Sequence, residues 1–333
     1  MKIIIPMAGR GSRLRPHTLT VPKPLIPIAG KPIVQRLVED LCDSFPGEVD
    51  EVAFIIGDFG KAVEEQLHRI ARGVGARASI YAQDQPLGPA HAIFCARDSI
   101  TGPCIVAFAD TLFRADFSVK PGDEGIIWVQ QVDDPSSFGV VKVNDRGIIT
   151  EFVEKSPDFV SDLAIVGLYY FRDGDLLREQ LKHLIDNNIR DKGEFQITSV
   201  LENMKNGGVA FRASQIEEWL DCGNKDNVVY TNRRMLDIKK DEENLVDPTV
   251  VRDNAVIIPP CFIGEHTVIR NSVVGPHVSI GHNVVVEQSV IQSSVIQNNS
   301  TIRNANIADS MIGNEVEYEG KKSDLSIGDF STL

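Results

Sequence analysis

The residues best suited to chemistry lie near the start of the chain, in KIIIPMAGRGSRLRPHTLTVPKPLIPIAGKP from Lys2 to Pro32. Gly9 and Gly11 lack a Cβ, so the backbone there can take positive φ and bring its N–H groups close to an anion. Arg10, Arg13, Arg15, Lys23 and Lys31 add five cations to the same segment, although the whole chain carries a net charge of −13. A local cationic pocket in an acidic protein suits a phosphorylated small molecule and argues against a nucleic-acid surface. Lys2 to Ile5 is a short apolar run, so the segment reads as a buried strand entering a phosphate-binding loop.

Two familiar glycine motifs do not fit. A Walker A loop needs Gly-Lys followed by Ser or Thr, and here Gly30-Lys31 is followed by Pro32. A dinucleotide fingerprint needs a third glycine opening a helix and an acidic residue about 20 positions on. Leu14 stands in place of that glycine, Pro16 interrupts the helix, and Ala29-Gly30 occupy the acidic position.

The run AGRGSRLRP followed by PKPLIPIAGKP resembles the signature of the sugar-1-phosphate nucleotidyltransferases, GGxGTRLxPLT followed by PKxLxPVxxKP. Ala8, Ser12 and His17 are the departures. The resemblance implies a loop of Ala8, Gly9, Gly11 and Ser12 around the nucleotide. It also implies Arg13 on the triphosphate and Lys23 on the charge shared by the two substrates.

The same resemblance extends down the chain. QDQPLGPA implies that Gln83 and Gly88 read the base, and an amide side chain suits the imide edge of uracil or thymine. CIVAFAD implies Asp110, and EEWLDCGNKDNV implies Asp221, as the two ligands of Mg²⁺, with Trp219 and Leu220 as packing support. Two carboxylates completed by substrate phosphates and water suit that ion. FGVVKVNDRGIITEFVEKSP, AIVGLYYF and GEFQITSVL imply Gly139, Glu154, Lys155, Val166 and Glu194 on the sugar-phosphate side.

These residues need elements to hold them. Ile33, Val34, Leu37, Val38 and Leu41 recur at helical spacing before a stop at Pro46-Gly47, and Val63, Leu67 and Ile70 repeat the pattern. Apolar runs at 51–56, 79–82 and 104–109 alternate with them, and 90–97 reads as a further helix. Such alternation predicts an α/β domain, a mostly parallel doubly wound, Rossmann-like sheet with ligands beyond the carboxyl ends of its strands. From 125 to 171 the pattern is richer in strands, and 228–240 reads as a closing helix. Val250, Val256, Phe262, Val268, Val274, Ile280 and Val286 then recur every six residues, with Val284, Val290, Ile296 and Ile302 as a second register. This is the hexapeptide β-helix pattern, on the order of four to five coils, and the resemblance implies left-handedness. The expected division is a nucleotidyltransferase domain at 1–238, a linker at 239–248, and a β-helix with its tail at 249–333.

Composition sets outer bounds. Hydrophobic content of 42% and charged content of 24% suit a globular protein, and no apolar run approaches the roughly 20 residues of a membrane span. A cytoplasmic location is expected, with no membrane and no nucleic-acid polymer among the partners. Cys42, Cys95, Cys104, Cys222 and Cys261 are scattered without a CxxC pair, which fits neither a disulfide framework nor a zinc site.

The expected reaction is Mg²⁺-dependent attack of a sugar 1-phosphate on the α-phosphorus of dTTP or UTP, with glucose 1-phosphate as the sugar and pyrophosphate as the leaving group. GTP with mannose 1-phosphate is the alternative. Two further readings are a non-catalytic regulatory subunit and an acyltransferase β-helix using His266, His277 or His282. A homo-oligomer through the β-helix is expected.

Overall fold

The computed structural model describes residues 1–330 other than Arg10, Pro46, Asp116, Lys322, Leu325 and Gly328. Arg10 of the cationic loop and Pro46 of the expected helix stop therefore lie outside the described residues. The chain divides into two compact units, one formed by Met1–Ile26 and Pro32–Gly223, the other by Pro27–Lys31 and Asn224–Leu333.

The first unit is built on a nine-stranded mixed sheet. Four of its strands run parallel: β1 (Lys2–Pro6), β2 (Glu51–Ile56), β3 (Arg77–Ala82) and β4 (Cys104–Ala107). Their order is β4-β1-β2-β3, with Ile4 opposite both Ala53 and Val106. Ile3, Ile4 and Ile5 are wholly buried, as continuous apolar runs between two helical layers must be. The other half is mostly antiparallel, although the strand Phe211–Gln215 runs parallel to its neighbour Gly125–Gln131. Its central strand, β5 (Leu163–Phe171), pairs antiparallel with β4 and with the strands Gly125–Gln131 and Gly139–Val143. This is the strand-rich stretch that the sequence marks after residue 125.

The parallel strands are joined by amphipathic helices. In α1 (Ile33–Ser44) the side chains of Ile33, Val34, Leu37, Val38 and Leu41 are all buried, and the N–H of Phe45 closes the last turn on the Leu41 carbonyl. The helix α2 (Lys61–Gly73) buries Leu67, Ile70 and Ala71 and leaves its charged face in solvent. The helix α3 (Pro89–Cys95) begins on Pro89, whose missing N–H costs nothing in a first turn.

In the second unit, the helix Lys225–Lys239 is capped by the Asn224 side chain, which accepts from the Asn227 N–H. By contact that helix belongs to this unit. Asn232 of that helix accepts from the Ala29 N–H at 2.9 Å and from Ser279 Oγ at 2.7 Å. Gly30 lies against Phe262, whose ring stands 2.2 Å from where a Cβ would be.

Beyond residue 250, short parallel strands stack into three sheets, a β-helix consistent with the left-handed form. Wholly or nearly wholly buried Ile269, Val286 and Ile302 form one interior stack, and Ile280 and Ile296 are neighbours in another. The six-residue count follows this interior only in part. Val274, Ile280, Val284, Val286, Ile296 and Ile302 are buried, whereas Val256 and Val290 are exposed and Val250, Phe262 and Val268 are half-buried. The reason is coil length. Asn254 donates to Asn271, 17 residues on, and Asn283 to Asn299, 16 on, so each coil is shorter than three full hexapeptides and a strict count walks out of phase.

Candidate active site

The chain leaves β1 at Pro6, and the Met7 N–H donates to the Ile55 carbonyl, which ties the loop's start to the sheet. Three single 3₁₀ turns, at Ser12–Leu14, His17–Leu19 and Lys23–Leu25, fold the segment back on itself. Leu14 anchors it, being 1% exposed. Gly11 has φ +59°, and a Cβ there would stand 2.8 Å from Lys23 Cβ and 3.2 Å from Thr18 Cγ2. That glycine is needed by the fold itself, because it lets Lys23 close against the loop. Gly9 is different: a Cβ would meet no protein atom within 4 Å. Its bare face opens on space that a ligand can enter.

The carboxyl ends of the parallel strands surround a cavity of about 400 Å³. From β1 and its loop come Ala8, Gly9, Gly11, Ser12, Arg13 and Lys23; from beyond β3 come Gln83 and Gly88; from beyond β4 comes Asp110; and Glu194 also reaches it. Residues more than a hundred positions apart therefore share one wall.

Lys23 is 7% exposed, and its Nζ lies 3.2 Å from Asp110 Oδ2. The strand Thr111–Arg114 pairs antiparallel with Glu218–Asp221, with Asp221 opposite Thr111 and the Cys222 N–H donating to the Asp110 carbonyl. The ladder thus brings Asp110 and Asp221 to adjacent positions. A Cβ on Gly223, which lines the cavity, would stand 2.8 Å from Asp221 Oδ2, so the glycine leaves room for that carboxylate. Trp219 supports the ladder by donating from Nε1 to Thr111 Oγ1 at 2.6 Å. Among the described residues no group of three or more His, Cys, Asp or Glu is placed to hold a metal.

Gly139, Glu154, Lys155, Val166 and Asp221 are not among the residues lining the cavity. Glu154 and Gly139 form a second cluster. Thr198 Oγ1 donates to Glu154 Oε2 at 3.1 Å, Lys155 Nζ lies 3.6 Å from Oε1, and a Cβ on Gly139 would crowd Oε2 at 3.0 Å. Lys155 sits at φ +44°, a costly backbone for a residue with a side chain, and Lys192 Nζ donates to its carbonyl at 2.6 Å. Val166 is 3% exposed and packs in the core beside Gly167. Thr198 and Lys192 escape the sequence reading, although Thr198 lies inside the GEFQITSVL segment that the reading quotes for Glu194.

Gly88 has a structural duty beyond any role at the cavity. At φ +112° a Cβ would stand 2.8 Å from both the N and O of Phe195 and 2.9 Å from Glu194 Cβ. The segment bearing Glu194 packs directly on that face, through Phe195 N–H to Leu87 O and Ala90 N–H to Phe195 O, each 2.9 Å. A third residue that the sequence does not point to is His91, whose Nδ1 lies 3.2 Å from Gln83 Nε2.

A glycine loop and a cavity at the carboxyl ends of parallel strands, with Lys23 paired to Asp110 at its wall, define an α/β nucleotide-binding domain. Comparison with known proteins makes the class specific. The family described as nucleotidyl transferase matches residues 2–237. The low-salt glycan biosynthesis nucleotidyltransferase Agl11 of Haloferax volcanii is 30% identical over 94% of this chain and 92% of its own length. A glucose-1-phosphate thymidylyltransferase of Streptomyces antibioticus is 30% identical over 95% and 93%. In fold, the chain resembles UDP-glucose pyrophosphorylase complexed with UDP-glucose, with a TM-score of 0.57 at 23% identity over 71% of this chain and 98% of that one. The chain belongs to the nucleotidyl transferase family.

Proposed function

We propose that the protein transfers a nucleotidyl group from dTTP or UTP to glucose 1-phosphate, releasing pyrophosphate. The observation that carries this reading is the convergence of the glycine loop, Arg13, Lys23, Gln83 and Asp110 on one cavity. The sugar-phosphate oxygen attacks the α-phosphorus in line, so the protein's work is positioning and charge stabilisation. Arg13 binds the triphosphate, and backbone N–H groups around Gly9 and Gly11 approach its oxygens. Lys23, held beside Gly11, neutralises charge that grows between the two substrates. Glu154 accepts from sugar hydroxyls while Lys155 meets the sugar phosphate, and Glu194 orients the sugar from the cavity wall. Asp110 and Asp221 would hold Mg²⁺, since two carboxylates leave the remaining positions to phosphate oxygens and water. The ion would supply charge neutralisation of the transferring phosphoryl group.

The β-helix reads best as an assembly module. His277 Nε2 is 2.9 Å from Asp237 Oδ1, and His282 Nδ1 accepts from the Glu265 N–H, so both histidines serve structural bonds. Val256, Val273 and Val290 are neighbours across one sheet, with Val256 and Val290 exposed, which supports self-association through that face. Among the described residues no helix is long and apolar enough to cross a membrane.

The test is pyrophosphate release with Mg²⁺, crossing dTTP, UTP, GTP, CTP and ATP with glucose, galactose, mannose and N-acetylglucosamine 1-phosphates. The expected result is one preferred combination, dTTP or UTP with glucose 1-phosphate. Preference for GTP and mannose 1-phosphate would replace the substrate assignment. No release from folded protein would favour a regulatory subunit.

A further inference from the structure

Gln83 Nε2 has two protein neighbours, the Gly88 carbonyl at 3.4 Å and His91 Nδ1 at 3.2 Å. The carbonyl can only accept, so the amide nitrogen, and not Oε1, must face it. His91 Nδ1 must then be an acceptor as well. We propose that His91 is a positioning residue that fixes the amide of Gln83 with its oxygen free for the base, so that the site selects bases whose Watson–Crick ring nitrogen carries a hydrogen. This rests on the base-reading role of Gln83 given above.

The surroundings of His91 support a fixed acceptor. Its ring stacks on Phe195, with centroids 6.5 Å apart and an interplanar angle of 26°. Phe195 is 2% exposed and is held by backbone bonds to Leu87 and Ala90 on either side of Gly88, so the imidazole rests on a rigid surface. Burial, and after it the charge of Arg190, lowers the His91 pKa, which keeps the ring neutral at pH 7 and leaves a lone pair on Nδ1 when Nε2 carries the proton. Arg190 itself lies over Phe195, its guanidinium 4.5 Å from the ring centroid.

With both amide hydrogens directed at protein acceptors, Gln83 Oε1 has no protein hydrogen bond among the described residues. An acceptor of this kind matches the N3–H of uracil or thymine and the N1–H of guanine. Cytosine N3 and adenine N1 are themselves acceptors and would face it lone pair to lone pair, which a built hydrogen-bonding site rejects strongly. Gln83 therefore separates uracil from cytosine and guanine from adenine, while ring size must separate pyrimidine from purine.

The experiment measures kcat/KM on the full-length protein for UTP against CTP and for GTP against ATP, two pairs that differ at the ring nitrogen. His91→Asn keeps an acceptor near the Nδ1 position, whereas His91→Leu removes it and His91→Gln moves it to the far end of the side chain. We expect His91→Leu and His91→Gln to reduce the preference within the better-used pair by about ten-fold, and His91→Asn to keep it within about three-fold. A His91→Leu or His91→Gln enzyme that loses activity on both members equally, with the preference intact, would overturn the proposal. The His91→Gln variant decides the matter if His91→Leu does not fold. Gln83→Leu separates the two readings: if it leaves the preference unchanged, the base-reading role of Gln83 itself falls.

Discussion

The two ends of the same parallel strands hold charge in opposite ways. At the carboxyl ends, Lys23 is buried but its partner Asp110 is 53% exposed at an open cavity. At the amino ends, Glu51 is 2% exposed and every partner is protein: Ser79 Oγ at 2.6 Å, Ser99 Oγ at 2.5 Å, Arg77 at 2.9 Å and Lys2 at 3.7 Å. A buried charge whose hydrogen bonds are complete holds strands together. A charge pair with one face open to water can exchange its partner for a ligand. One sheet thus keeps stability at one end and chemistry at the other.

The sharpest test of this division is a pair of alanine variants. Lys23→Ala should lower kcat by about 10²–10³-fold while the melting temperature moves by no more than about 2 °C. Retained turnover would remove Lys23 from the mechanism, and a collapsed melting temperature would make its role structural. Glu51→Ala should do the reverse, costing about 2–3 kcal/mol in chemical denaturation because buried hydroxyls lose their acceptor, with kcat unchanged in the folded fraction. A rate loss without a stability loss there would break the comparison.

The glycines permit a finer contrast. Gly88→Ala should destabilise the protein by about 1–3 kcal/mol, since both its φ and the Phe195 backbone oppose a Cβ. Gly9→Ala has space on the protein side, so its melting temperature should hold while KM for the nucleotide rises about ten-fold, a steric effect of roughly 1.4 kcal/mol. Equal melting temperatures for the two variants would show that Gly88 is not the constrained position.

The smallest effect expected is one of pH. Burial pushes the Glu51 carboxyl up, but the Ser79 and Ser99 hydroxyls and Arg77 together outweigh it and hold the pKa below 4.5. A depressed carboxylate contributes stability that is complete above its unfolded pKa and is lost as pH falls through the folded one. Denaturation curves of the parent protein should therefore lose this component below about pH 4.5, and those of Glu51→Gln should not. Parallel acid profiles would assign the acid loss to other carboxylates.

The loop was legible in the sequence because its parts are contiguous. Gly9, Gly11, Arg13 and Lys23 lie within one short run, and spacing alone implies an anion site. The alternation of β1, α1, β2, α2 and β3 was legible too, because burial on one face imposes a period that residue type records. The hexapeptide count identified the β-helix but does not track its interior throughout, since coils of 17 and 16 residues break a strict period of six.

Other features depend on residues far apart meeting, which no local pattern encodes. Lys23 finds Asp110 across 87 residues, Ser99 finds Glu51 across 48, and Glu154 finds Thr198 across 44. His91 carries no motif, and it becomes informative only when folding sets it 3.2 Å from Gln83. Gly88 shows both sources at one residue. The sequence by itself determined that the chain could turn there without a side chain. Only the tertiary structure decided what fills that space, because the Phe195 backbone reaches it from more than a hundred residues away.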